Sequence, residues 1–524
     1  MRSVSSLTDL ASIWPCFVHG RRSLARNRVH QNLRNGRNLP LGVLTTRDQK
    51  STMDPPDNQR PSTTDSGHAD ESQQRQIRPL SRQTSGSPLP AVYEMVSRAL
   101  STQNARSDAR AQRYDPLATG DWRDMSSPSL AIAAHQTDWE YRVTWLLWLC
   151  CALSSTLIIV VQTIPAIIFL CAVLLYCALF PLRFYQALTW NIIPWAIVLF
   201  GALSVIWSEQ PTQSLRSAAQ IWVSVLAVLM FAQGLRAGSF ILITFFAFVG
   251  ANATFLFAPS VFGSKNMVGQ TLALVVLSSF WLILDRQHLL IRAIALAALL
   301  AAPSMLIAAD SEGALLAGSL ALVCSLAPFL MRPFRPATRI FLACVGAFVA
   351  SVIILASFLL FDGLFETILQ SIGKDVSLTG RTLLWSHAAE IIADHPLGVG
   401  LQAFWNESNA DAIRFWETFY INNHYGFHFH DLWLETGVEL GVIGIVIAAA
   451  TTLVVFFSVW RWALWYPAPE SCFFAGYVTF ILARTIGEVE LYSQFNMTSM
   501  MFIAAFYYAR SPSRQQADNR GGHG

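Results

Sequence analysis

From about residue 140 onward the chain alternates between long apolar runs and short polar seams. A bilayer-spanning helix needs about 20 predominantly apolar residues. By that measure the pattern predicts roughly twelve spans, at approximately 143–161, 164–180, 190–207, 217–234, 238–257, 267–284, 292–309, 313–331, 339–361, 432–460, 471–487 and 492–509. The seams PLRFYQ, GLRAGS, DRQHLLIR, MRPFRPATR, WRWALWYPAPE and ARSPSR follow the even-numbered spans, and each contains arginine. Those after the odd-numbered spans, among them WSEQPTQSLR, FAPSVFGSKN, ADSEG and EVELYSQ, are poorer in cations and richer in carboxylates. Arginine-bearing seams stay in the cytoplasm, so both termini are expected there and the odd-numbered seams outside. One outward seam, residues 362–431, is far longer than the rest, and a loop of that length between spans has structure or work of its own. The expected fold class is an all-α polytopic membrane protein with a large, partly helical extracytoplasmic loop between spans 9 and 10.

Composition agrees, since 53% of residues are hydrophobic and only 13% charged. The net charge of +3 is too small to argue for nucleic acid. Cys150, Cys151, Cys171, Cys177, Cys324, Cys344 and Cys472 lie in apolar segments and read as small hydrophobes, not as a disulfide framework or metal knuckle. Upstream, from about Asn32 to Asp138, the chain is rich in Arg, Ser, Gln, Asp and Pro and buries too little apolar surface to fold. The first 30 residues show no small-residue cleavage site. Residues 1–140 are therefore expected to be a disordered cytoplasmic extension, with Met53 and Met95 as alternative starts. Residues 141–510 form the membrane domain, and 511–524 a cytoplasmic tail.

Most unusual polar groups fall on the outward side. In the long loop, SLTGRTLLWSHAAEIIADHPLGVG reads as a short amphipathic helix with Leu384, Trp385, Ala388, Ile391 and Ile392 on one face. Pro396, Gly398 and Gly400 end it, and Thr379 is its expected N-cap. Arg381 then stands in the first turn, where a guanidinium beside free backbone N–H groups suits a phosphate. The alternative is an ordinary ion pair with Asp375 or Glu390. Lys265, in GSKNMVG, presents an ammonium beside the Asn266 amide; the plain alternative is a lysine snorkelling at the interface.

FHFHDLWLETGVELGVIG opens span 10 and holds His428, His430, Asp431, Glu435 and Glu439, with His424 just upstream. His424 and His428, spaced i and i+4, would be metal ligands on a helix. One imidazole could instead be a general base with its tautomer fixed by a carboxylate, or the group could be a polar cap at the interface. Glu435 and Glu439 sit one turn apart at the mouth of an apolar span, where ionisable groups face the bundle interior or water.

Four segments together, LSVIWSEQPTQSLRSA, GSKNMVG, GRTLLWSHAAEIIADHPLGVGLQAF and HFHDLWLETGVELGVIG, resemble the O-antigen ligase and exopolysaccharide polymerase family over roughly residues 143–510. The resemblance implies a membrane glycosyltransferase that takes glycan from undecaprenyl diphosphate at the periplasmic face of the bacterial inner membrane. The acceptor would be a growing glycan (polymerase) or lipid A-core (ligase), and the GSKN turn leans towards the polymerase. It further implies an inverting reaction with no metal and no cofactor, with the bilayer and other polysaccharide-assembly proteins as surroundings. By position, Arg381 matches the loop arginine and His430 the loop-end histidine. Lys265 is a weaker match to a basic residue before a span, and Arg216 and Arg484 are further candidates for the diphosphate. The family often has His followed by Asn where this chain has His430 followed by Asp431; an aspartate could orient the imidazole, and the base stays open between His428 and His430. Asn266 and Glu435 are expected in support. The competing classes are a transporter or flippase for lipid-linked sugars, and a sensor or scaffold using the N-terminal extension.

Overall fold

The computed structural model describes residues 137–511, apart from 162, 258–263, 286, 361–379, 422–423 and 425. The expected extension before Asp138, the tail after Ser511 and the first part of the long loop lie outside the described residues, as do Thr379 and Asp375.

Among the described residues every regular element is helical. In chain order they are α1 (Asp138–Val161), α2 (Thr163–Leu179), α3 (Pro181–Thr189), α4 (Ala196–Leu203), α5 (Pro211–Gly234), α6 (Ala237–Phe257), α7 (Lys265–Leu284), α8 (Leu289–Ala308), α9 (Glu312–Leu330), α10 (Pro336–Leu360), α11 (Arg381–Asp394), α12 (Ala410–Thr418), α13 (Leu432–Trp465), α14 (Pro469–Arg484) and α15 (Met497–Arg510). Each expected span coincides with one of these helices. Eight of the described helices are long and apolar enough to cross a bilayer alone, or nine if α2 and α3, bent by 103°, make one span. The expected spans at 190–207, 471–487 and 492–509 are shorter: α4 with its flanking 3-10 turns covers only Ile193–Ile206, and α14 and α15 have 16 and 14 residues.

The PLRFYQ seam is itself helical. Arg183 does not face water there: its guanidinium is buried, donating to Tyr176 Oη at 2.5 Å and Thr144 Oγ1 at 3.1 Å, with Glu140 3.9 Å away. A cation placed at a seam by topology thus also pins α3 to α1 and α2.

α5, α6, α7, α14 and α15 carry most of the buried apolar surface, whereas α8, α9 and especially α10 present Leu300, Leu316, Val323 and Phe348 outward. Apolar side chains outside a polytopic bundle face lipid at no cost, since the hydrocarbon is as apolar as they are. α10 is tied at its start by Arg339, which donates to the carbonyls of Leu464 at 2.7 Å and Trp465 at 3.2 Å and so satisfies the open C-terminus of α13.

Candidate functional site

The site is built on a break in α13. Gly441 has φ 66° and ψ −167°, a backbone conformation essentially restricted to glycine, so Leu432–Leu440 is a separate short piece before the long apolar helix. Breaking a helix frees backbone groups that need partners, and the segment after Pro396 supplies them. Val442 N donates to Pro396 O at 3.1 Å, Val399 N to Val438 O at 2.9 Å and Gly400 N to Glu439 O at 2.9 Å. The same segment bonds α4 and its sequel, through Leu401 N to Ser204 Oγ at 3.1 Å and Glu209 N to Val399 O at 2.9 Å. Pro396, Gly398 and Gly400 do more than end a helix: they fasten the long loop into the bundle.

Beyond that seam the loop has its own small core of Leu384, Ala388, Phe404, Phe415, Trp416, Phe429 and Val438. The face predicted for the loop helix is the one buried there. Trp385 Nε1 donates to Phe429 O at 3.0 Å, and Trp405 Nε1 to Glu435 Oε1 at 2.9 Å, while Glu435 Oε2 accepts from Phe429 N at 2.8 Å. Both Glu435 oxygens are therefore occupied, one by the Phe429 amide and the other by Trp405, and so tie the Phe427–Asp431 segment to the loop core. Trp405 and Trp416 belong to this core as well.

That segment delivers His428 and His430 to a carboxylate not singled out in the sequence, Glu488, in the turn after α14. Glu488 Oε1 accepts from Asn266 Nδ2 at 2.5 Å and Arg381 Nη2 at 3.2 Å. Its Oε2 faces His430 Nδ1 at 3.5 Å and His428 Nε2 at 3.7 Å. The two imidazoles lie 4.2 Å apart between ring centres. Glu488 is 13% exposed, and Arg381, His428 and His430 about a quarter exposed, so the cluster is sheltered yet open to a ligand. Beneath it Arg484 Nε pairs with Glu490 Oε1 at 2.5 Å, both almost fully buried, with Gln270 on the other Glu490 oxygen. This pair fixes the turn that carries Glu488.

Burial would raise the Glu488 carboxyl, but the contact from His430 and the charges of His428, His430 and Arg484 outweigh it and hold Glu488 at about 2, ionised at neutral pH. His428 is pushed down to about 3, first by burial, then by the charges of His430 and Arg381, with Glu488 pulling the other way. At neutral pH His428 is uncharged, so its share of the attraction on Glu488 is that of a dipole. His428 Nδ1 accepts from His430 N at 3.0 Å, so its one proton sits on Nε2, towards Glu488. His428 has no lone pair left for base or metal chemistry in this arrangement. His430 Nδ1, buried and without a hydrogen-bond partner among the described residues, points at Glu488, which leaves its Nε2 as the nitrogen able to act. His430 has φ 55°, a left-handed conformation costing a non-glycine residue about 1–3 kcal/mol, of the kind concentrated at functional sites.

Donor atoms of His428, His430 and Glu488 lie within 4.8 Å of one another, compact enough for a metal ion. They fit one poorly, because ligation through His428 Nε2 requires moving its proton to Nδ1 and losing the hydrogen bond that Nδ1 accepts from the His430 amide. The other proposed metal pair is not formed. His424 is not on a helix with His428; its ring stacks on Trp416 at 4.5 Å, with Glu407 3.8 Å from Nδ1.

Of the sequence candidates, Arg381, His428, His430 and Asn266 converge. Arg381 opens α11 after Gly380, whose φ of 87° and closeness to the Phe419 ring suit only glycine, and its partner is Glu488, while Glu390 pairs with His387. Lys265 stands next to Asn266 at the start of α7, its ammonium 2.7 Å from Asp310 in an exposed pair. Arg484 is occupied by Glu490, and Arg216 is exposed on α5, away from this cluster's contacts among the described residues. Asp431 does not orient His430: its carboxylate caps α13, accepting from Trp433 N and Leu434 N at 2.9 Å each. The carboxylate that faces His430 Nδ1 is that of Glu488. The acidic seam EVELYSQ between two apolar spans was the signal that could have identified it.

Comparison with known proteins places this geometry in context. The model of the O-antigen ligase family matches residues 295–449, which include α11, the loop core and both histidines. The exopolysaccharide production protein ExoQ of Rhizobium meliloti (strain 1021) is 28% identical over 341 residues, covering 62% of this chain and 78% of that protein.

Proposed function

We propose that the chain, similar over residues 295–449 to the O-antigen ligase family and 28% identical over 341 residues to an exopolysaccharide production protein, is a membrane glycosyltransferase of cell-surface polysaccharide assembly. It takes glycan from undecaprenyl diphosphate at the periplasmic face of the inner membrane. The observation that carries this reading is the convergence of Arg381, His428, His430 and Asn266 on Glu488 from three separate stretches of chain. The likeness to an exopolysaccharide production protein supports a growing glycan as acceptor over lipid A-core.

In this mechanism His430 Nε2 takes the proton of an acceptor sugar hydroxyl while that oxygen attacks the anomeric carbon, with inversion. The bond from that carbon to the diphosphate oxygen breaks, and undecaprenyl diphosphate leaves. General-base help is typically worth about 10²–10⁴-fold. Arg381, with Lys265 at the rim, offsets the charge developing on the leaving diphosphate, and does so strongly in a sheltered cavity. These cations neutralise the leaving group, so the scheme requires no metal ion. Glu488 keeps the His430 proton on Nδ1, as the carboxylate of a catalytic triad does. Support for His430 over His428 comes from the lone pair that His428 gives to the His430 amide.

The test is purified protein supplied with lipid-linked oligosaccharide, with and without lipid A-core, and products sized by gel. Longer glycan without the core acceptor is expected. Transfer only to the core would assign a ligase, and lipid-linked sugar crossing vesicles with no transfer would replace the enzyme by a transporter.

A further inference from the structure

Glu488 has more partners than it can serve at once. Oε1 is held firmly by Asn266 and Arg381, at 2.5 and 3.2 Å, while Oε2 stands 3.5 and 3.7 Å from His430 Nδ1 and His428 Nε2, beyond a good hydrogen bond. Among the described residues His430 Nδ1 is left buried and without a hydrogen-bond partner, although the Glu488 carboxylate stands 3.5 Å from it. The guanidinium holding the carboxylate away is also the cation best placed to take a diphosphate, since it stands about a quarter exposed at the start of α11.

We propose that Glu488 is a positioning residue handed from Arg381 to His430 when the donor diphosphate binds. The proposal rests on the transferase reading above. Phosphate oxygens take the Arg381 guanidinium; Glu488, relieved of that partner, closes a gap of a few tenths of an ångström and accepts a hydrogen bond from His430 Nδ1. Asn266 stays on Oε1 and limits the movement to a rotation of the carboxylate. The charged and titratable groups around the exchange are Arg381 from α11, His428 and His430 from the segment before α13, Glu488, and Arg484 from the end of α14, which remains on Glu490. The base then becomes fully oriented and more basic only with the donor in place. Without a donor, the acceptor hydroxyl meets an imidazole that is not yet set.

Inorganic pyrophosphate is the probe. In purified protein carrying isotope-labelled histidine, bound pyrophosphate, followed by its phosphorus signal, should move the His430 ring nitrogens towards the Nδ1–H tautomer. In Glu488→Gln most of that shift should disappear, and pyrophosphate should bind about tenfold tighter because Arg381 has lost its competing carboxylate. With lipid-linked donor, the same variant should show a lower KM for the donor together with a kcat reduced about tenfold or more. A carboxylate with a purely structural role would not lower KM on removal, and Glu488→Asp should recover part of kcat. His430 signals unmoved by bound pyrophosphate, an equal shift in Glu488→Gln, or weaker binding by that variant would overturn the handover, as would failure of pyrophosphate to bind at all. The wild-type measurement holds even if the variant does not fold. Because the binding and spectroscopic readings need no turnover, an inactive wild type would count against the transferase and not against the exchange.

Discussion

The guanidinium of Arg381 lies 3.2 Å from the carboxylate of Glu488, although 107 positions separate the two residues along the chain. One begins the helix of the long loop and the other sits in the turn after α14, so the pair closes the loop over the bundle. Both histidines reach the same carboxylate. A half-sheltered cation, an ionised acid and a neutral imidazole thus lie within a few ångströms of one another.

Arg381→Ala and His430→Ala should each lower glycan transfer by about 10²-fold or more while membrane insertion stays intact, because each removes a charge or base acting in the transition state. Initial rates in proteoliposomes, with insertion measured by protease protection, decide it. Near wild-type rates in either variant would remove that residue from the mechanism.

His428 should make the loop acid-sensitive. Its folded value is about 3 against an ordinary 6.5, so between those pH values the unfolded chain binds a proton that the folded one does not, and stability falls as pH falls. Glu488, held at about 2 against an ordinary 4.5, adds a second loss as pH drops from near 4.5 towards 2. The slope per proton is at most about 1.4 kcal/mol per pH unit. His428→Gln should therefore show a smaller fall in melting temperature between pH 7 and pH 5 than wild type, and an unchanged fall would contradict the buried neutral imidazole.

Gly441→Ala should destabilise the protein by at least about 2 kcal/mol, since alanine meets both a disfavoured φ of 66° and the Pro396 carbonyl. Thermal unfolding in detergent reads this directly. A melting temperature equal to wild type would mean that the break in α13 is not fixed as described.

Glu435→Gln tests the scaffold behind the histidines. A neutral amide has one acceptor oxygen and cannot accept from both Phe429 N and Trp405 Nε1 in the way the carboxylate does. Transfer should fall roughly tenfold, and limited proteolysis should cut faster within residues 401–431. Unchanged cleavage and activity would show that the segment is held by its apolar contacts alone.

The helices, their order and the buried face of α11 could be read from hydrophobic period and length, because a span must satisfy its own backbone hydrogen bonds whatever its neighbours do. Arg381 stood out in the first turn of the loop helix, and His430 and Asn266 because polar groups at the mouths of apolar spans are conspicuous. The sequence could not say which carboxylate faces His430. Asp431 is its neighbour in the chain, but an aspartate one residue before a helix turns its oxygens to the free amides of that helix, and so its carboxylate is occupied. Glu488 takes its place only because the break at Gly441, the loop core and the buried Arg484–Glu490 pair bring remote segments together. Local periodicity thus determined the apolar helices and their order. Tertiary packing alone decided the partners, because contacts between distant segments depend on how whole helices and loops meet and leave no spacing in the sequence to read.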